Sequence, residues 1–270
     1  MNLHPPTLTG PSRPSAIAFT LVELLTVVAI IGILAGLGVG AVSGTVRRAK
    51  DARCKNNLKQ LSTALISYVG SHGQYPQTIN PEVLEGKTNN WIWCHVLERE
   101  MSSDERFLPP RFLNSFKDSV WECPAMRTAA QRQDLGYGYN TSGVSSDRTQ
   151  EPLGLGGKVR GEMMMGMPEP NRFSVKDGEV VNPARMLALG DGVAGWADTY
   201  RVSMDFIRMK PIGVSLHAFD VSRHRRRVNA AFADGHVETI PLQTLFSDPS
   251  DKALSLWNRD HQPHRERLDQ

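Results

Sequence analysis

Cysteine is scarce in this chain, three residues in 270, and aromatic residues make up only 7%. So few thiols exclude a small scaffold held together by dense disulfides. Net charge is nearly absent too: 31 Lys and Arg stand against 28 Asp and Glu, leaving +3. With 40% hydrophobic residues, that balance excludes wholesale disorder. A mean hydropathy of −0.33 excludes a polytopic membrane protein. Ser-His-Asp order, a phosphate-binding glycine loop and metal-ligand spacing are all missing, so no catalytic constellation argues for an enzyme. The 23 Gly and 17 Pro, irregularly placed, exclude collagen and predict many turns and short strands.

Charge is missing altogether from one stretch, residues 24–46, LLTVVAIIGILAGLGVGAVSGTV. As a helix this tract reaches roughly 34 Å, enough to cross a hydrocarbon core of about 30 Å. A buried core helix is the plainer alternative, but globular helices keep a polar face over such a length. A cleaved secretory signal has a shorter apolar region than this. One acid, Glu23, stands at the start of the tract, where an isolated carboxylate in lipid needs a partner.

The residues Ala18-Phe19-Thr20-Leu21-Val22-Glu23-Leu24-Leu25, followed by VVAIIGILA, resemble the N-terminal processing motif of type IV prepilins and type II secretion pseudopilins. The resemblance implies cleavage between Ala18 and Phe19 by a prepilin peptidase, N-methylation of Phe19, and a leader over residues 1–18. It makes Glu23 the fifth mature residue, expected to pair with the N-terminus of a neighbouring subunit during assembly. The residue before the cut is usually Gly in that family, and here it is Ala18.

Beyond the uncharged tract, Cys54, Leu58, Leu61, Leu65 and Tyr68 recur every three or four residues and predict one face of a helix. Gly70, Gly73 and Pro76 end the pattern. The expectation is a long helix over 19–70, spanning the membrane at about 21–43, with a soluble half at 47–70. Six basic residues between 47 and 59 face only Asp51, a local charge of +5, while residues from 60 onward carry 24 basic and 26 acidic side chains. This collar suits anionic head groups. The positive-inside rule places it in the cytoplasm, whereas the processing motif implies an extracytoplasmic C-terminal domain. The motif is the more specific signal and decides the expectation.

The remainder, 71–270, is expected to be a globular domain with a loop-rich insertion at about 145–180, which holds Met163, Met164, Met165 and Met167. Those Met residues suit filler of an irregular segment better than a soft-metal site. ARMLALGDG predicts a short strand. RVNAAFADGHVETI predicts a hairpin whose Asp234-Gly235 favours a type I′ turn. His224, with Asp234 and Gly235 ten and eleven residues on, matches the His, nine residues, Asp-Gly (H-X9-DG) signature of a prepilin-associated C-terminal domain. A straight strand of ten residues spans about 33 Å, so His224 and Asp234 are not expected to meet. RHRRR at 223–227 fits a solvated strand entry better than a nucleic-acid patch. Asp191, Asp234 and Asp260 are hard ligands, but no calcium-loop spacing is present, so no metal is assigned.

The resemblance therefore implies an α+β, pilin-like fold, in which a membrane-spanning N-terminal helix packs on an antiparallel sheet. It implies a non-enzymatic structural subunit of a type IV pilus-like or pseudopilus assembly, single-pass in the inner membrane. Its expected partners are the peptidase/methyltransferase, other pilin-like subunits and the membrane, with no cofactor and no nucleic acid. The resemblance also favours a Cys54–Cys123 disulfide, because both residues fall in family-like stretches. Two rivals stay open: a membrane-anchored module binding DNA or polysaccharide, and an envelope hydrolase using His224 with Asp191 or Asp234.

Overall fold

The computed structural model describes residues 19–77, 79–84, 87–102, 119–125, 136–144, 151–159, 172–191, 223–246 and 248–268, without the side chains of 37–43, 79–92, 158–159, 172 and 223. The leader 1–18 and the Met cluster 163–167 lie outside the described residues. Helix α1 runs from Leu21 to His72, and the chain divides into two compact units, residues 1–46 and 47–270.

In the first unit the helix opens on a capping box. Thr20 Oγ1 accepts from the Glu23 amide at 3.2 Å, while Glu23 Oε2 accepts from the Thr20 amide at 2.9 Å and its hydroxyl at 2.8 Å. Around and beyond the cap, Thr26 apart, the side chains are mostly apolar: Phe19, Leu21, Val22, Leu25, Ile31 and Ile33 are all exposed. Among the described residues, no helix is long and apolar enough to cross a membrane. The first run of described side chains along the helix, 21–36, covers about 24 Å, and the side chains of residues 37–43 of the uncharged tract are not described.

In the second unit, α1 turns amphipathic as its spacing predicts. Cys54, Leu58, Leu61 and Leu65 are buried and Tyr68 is half-buried, while Lys55, Lys59 and Gln60 are exposed. Gly70 is passed over; the helix ends one turn later, where Gly73 takes a left-handed φ of 67° and its amide donates to Val69 O at 2.7 Å. The strands β1 (Ile79–Leu84) and β2 (Lys87–Ile92) pair as an antiparallel hairpin, and α2 (Trp93–Met101) follows directly.

The central sheet is antiparallel, in the order β3 (Tyr137–Tyr139), β6 (Leu187–Asp191), β7 (Arg227–Phe232), β8 (Val237–Pro241). Between β3 and β6 lies the short pair β4 (Lys158–Val159) and β5 (Arg172–Phe173). Alternation along β7 feeds two cores. Val228, Ala230 and Phe232 pack with α3 (Leu242–Phe246) and with Leu254 and Trp257, at and beyond the end of α4 (Asp251–Leu254). Ala231 joins Leu58, Leu61 and Leu65 of α1, Trp93 and Leu97 of α2, and Tyr139. The four-stranded antiparallel sheet with an N-terminal helix makes the fold α+β.

The expected insertion is not loose where it is described. Leu153 and Leu155 donate their amides to Ser142 O and Asn140 O, and Tyr75 donates to Val175 O at 2.8 Å. Leu155 and Val175 are fully buried. A Cβ on Gly154 would sit 2.6 Å from Gly143 N, so glycine lets the two backbones pass in contact.

The hairpin also departs from expectation in its turn. Gly235 N donates to Phe232 O at 2.8 Å and Phe232 N to His236 O at 3.0 Å, closing a three-residue loop of Ala233, Asp234 and Gly235. Only Gly235 has positive φ, at 88°. Type I′ needs two such residues; this loop is a turn followed by a left-handed glycine.

Candidate functional site

Both ends of the His, nine residues, Asp-Gly signature close on the second unit's part of α1, residues 47–72. At the glycine end, Gly235 O accepts from Lys59 Nζ at 2.9 Å and from the buried Ser62 hydroxyl at 3.2 Å. Asp234 caps its own turn, its Oδ1 lying 2.6 Å from His236 Nδ1 and accepting from the His236 amide. It therefore acts as a turn former, at the far end of β7 from His224.

At the histidine end, four chain segments converge. Helical spacing puts Asp51 and Cys54 three residues apart on one face of α1. Cys123 follows a turn that Asn57 fastens to α1 by donating to Glu122 O at 3.0 Å. The same turn is fastened to β3 by the Gly136 amide, which donates to Trp121 O at 2.8 Å. A Cβ at position 136 would come within 2.4 Å of Cys123 N, so only glycine admits this approach. Asp191 ends β6, and its Oδ2 accepts from the Asn229 amide of β7 at 2.7 Å. His224 enters β7 through three consecutive left-handed residues, with φ of 50°, 58° and 62° at His224, Arg225 and Arg226. Each costs about 1–2 kcal/mol relative to right-handed backbone. The coil turns the imidazole inward while the three following arginines remain exposed.

The resulting geometry is tight. Cys54 Sγ lies 2.8 Å from Cys123 Sγ, and Cys123 Sγ lies 3.4 Å from His224 Nε2. His224 Nδ1 is 2.6 Å from Asp51 Oδ1, and Nε2 is 3.5 Å from Asp191 Oδ2. No disulfide joins the two sulfurs. Cys54, Cys123, His224 and Asp191 are all buried, and Asp191 Oδ1 has no hydrogen-bond partner among the described residues. The sulfurs and one imidazole nitrogen lie within 4.8 Å of one another, a set able to hold a metal ion.

Burial opposes charge on His224, but hydrogen bonds to Asp191 and Cys123 outweigh it and hold the imidazole up at about 10. The hydrogen bond to Cys123, burial and the neighbouring acidic groups push the Cys54 thiol well above its ordinary range.

The sequence-selected residues thus fall into three places. Phe19 and Glu23 stand at the start of α1, and Asp234 and Gly235 form the hairpin loop. Cys54, Cys123 and His224 form one buried cluster with Asp191. Sequence reasoning missed Asp51 as the partner of His224. Its signal was to be the lone acid in a basic collar, on the face that carries Cys54. It also missed the capping box, although Thr20-x-x-Glu23 spells it.

The chain is 40% identical over 68 residues to the type IV major pilin protein PilA of Myxococcus xanthus (strain DK1622). That stretch is 25% of this chain, and it spans about a third of the pilin, 31% of its length. No family model and no solved structure matches. The likeness supports a pilin-like relationship.

Proposed function

We propose that this chain is a structural subunit of a type IV pilus-like or type II secretion pseudopilus assembly, matured by a prepilin peptidase that cuts between Ala18 and Phe19. The observation that carries the reading is the partial identity with a type IV major pilin. The helix opening supports it. Exposed apolar side chains surround the described start of α1, and such a surface needs lipid or neighbouring helices to cover it. In this reading the uncharged tract 24–46 anchors the precursor once in the inner membrane, with residues 47–270 on the outer side. Glu23 then pairs with the N-terminal ammonium of an adjacent subunit, so that each offsets the burial of the other. The chemistry is done to the protein by the peptidase/methyltransferase, and the chain itself is not an enzyme.

The test is N-terminal sequencing with intact-mass measurement of the mature protein from its native host. A chain beginning at N-methylated Phe19 is expected. An intact Met1, or any other first residue, refutes the reading.

A further inference from the structure

We infer that Cys54, Cys123, His224 and Asp191 form a structural zinc site that ties helix α1 to the strands of the sheet. Four features of the cluster point to a metal rather than to packing. Two sulfurs and one imidazole nitrogen already lie within 4.8 Å of one another, and Asp191, which stands outside that set but reaches within 3.5 Å of the imidazole, completes by side-chain rotation the donor types and number that a closed tetrahedral zinc site takes. Two of the donor separations already fit. With ordinary zinc–ligand lengths, a tetrahedron puts sulfur and nitrogen about 3.6 Å apart, and nitrogen and oxygen about 3.4 Å. The corresponding distances are 3.4 Å for Cys123 Sγ to His224 Nε2 and 3.5 Å for His224 Nε2 to Asp191 Oδ2. The sulfur pair, at 2.8 Å, has to open by about 1 Å on binding, within reach of side-chain rotation.

The surroundings add two independent observations. His224 Nδ1 is fixed at 2.6 Å by Asp51, the carboxylate–histidine arrangement that orients a metal-binding imidazole and raises its basicity. Nε2 is thereby aimed at Cys123 and Asp191. Asp191, 1% exposed, keeps Oδ1 without a hydrogen-bond partner among the described residues. Oδ2 is held by the Asn229 amide, so Oδ1 is the oxygen that a rotation of the carboxylate can turn to the metal, and a buried acceptor without a partner is costly to leave unmet. A disulfide between the same sulfurs uses neither the aimed imidazole nor this oxygen, and it leaves the three left-handed residues at 224–226 without a purpose. On binding, the two thiol protons and the proton on Nε2 leave to solvent. Zinc then holds two thiolates, a neutral imidazole and the Asp191 carboxylate.

The experiment uses the full-length protein in detergent micelles, reduced, stripped with a chelator, and reloaded with zinc or with cobalt(II) as a spectroscopic stand-in. About one zinc per chain should survive dialysis, and cobalt should give a thiolate charge-transfer band with tetrahedral ligand-field absorption. Cys54→Ser and His224→Ala should lose the metal, whereas Cys94→Ser, a buried cysteine outside the cluster, should keep it. Asp51→Asn, which keeps every ligand, should weaken zinc binding about 10–100-fold. Failure of the reduced wild-type chain to retain zinc overturns the inference, and needs no variant to fold. So does wild-type zinc content in Cys54→Ser or His224→Ala. A Cys54–Cys123 disulfide without zinc in protein taken from its native envelope overturns it as well.

Discussion

Replacing Gly235 by alanine tests whether the Asp-Gly turn is a grip on α1 or only a chain reversal. Two effects add at this position, and a third is relieved. Gly235 has a φ of 88°, which an L side chain adopts at a cost of about 1–2 kcal/mol. An added Cβ would sit 2.3 Å from Ile66 Cδ1; that atom ends a flexible, half-exposed side chain, so this overlap is relieved by rotation. Any shift of the turn also strains the bonds from Lys59 and Ser62 to Gly235 O, worth about 0.5–1.5 kcal/mol each. Together the loss should be about 2–3 kcal/mol. Urea unfolding followed by tryptophan fluorescence reads it, since Trp93, Trp121 and Trp257 are all buried. Gly235→Asn places the same Cβ against Ile66 but tolerates left-handed backbone better. It should recover about half the loss. A Gly235→Ala chain within about 0.5 kcal/mol of the parent would refute the reasoning.

Asn140 offers a second test: its Nδ2 donates to Leu187 O and Trp257 O, both at 2.9 Å, and its Oδ1 accepts from Gly143 N at 3.0 Å. Asn140→Ala removes three buried hydrogen bonds and should cost about 3 kcal/mol. It should also expose the segment after Trp257 to limited proteolysis; unchanged cleavage and stability would count against the role. Burial holds His95 down at about 4. The unfolded chain takes up that proton near pH 6.5 and the folded chain does not, so this contribution is full above 6.5 and is lost as pH falls toward 4. Glu98, which burial pushes up, works in the opposite sense. The unfolding midpoint should therefore fall less between pH 7 and 4.5 in His95→Gln than in the parent, and equal falls would remove His95 from the account.

Much of the fold was legible because it is written in short-range periods. The buried stripe of α1 follows a 3.6-residue repeat, and the β7–β8 hairpin follows alternation bounded by Asp234-Gly235. What failed was local detail set by partners distant in sequence. The helix passes Gly70 because Val69 and the turns before it pack into the core, and only Gly73 has the left-handed backbone that ends it. The turn became a three-residue loop because Ala233 donates its amide to Met186 O, across the sheet. The cluster around His224 was least legible. Spacing correctly separates His224 from Asp234, but a run of left-handed residues has no sequence period. The nearest partner, Asp51, lies 173 residues away, where its charge reads as part of a collar.

The signature's two grips have a mechanical consequence. His224 meets Asp51 at one end of β7, and Gly235 meets Lys59 and Ser62 beyond the other. Along α1 these points are about 16 Å apart, close to the length of the intervening strand, about 20 Å. A force drawn along the helix axis therefore reaches the sheet at two anchors in parallel, in shear, and cannot open them one after the other as peeling would. Rupture requires both to fail in the same event, which makes β7 a splint for the helix under tension.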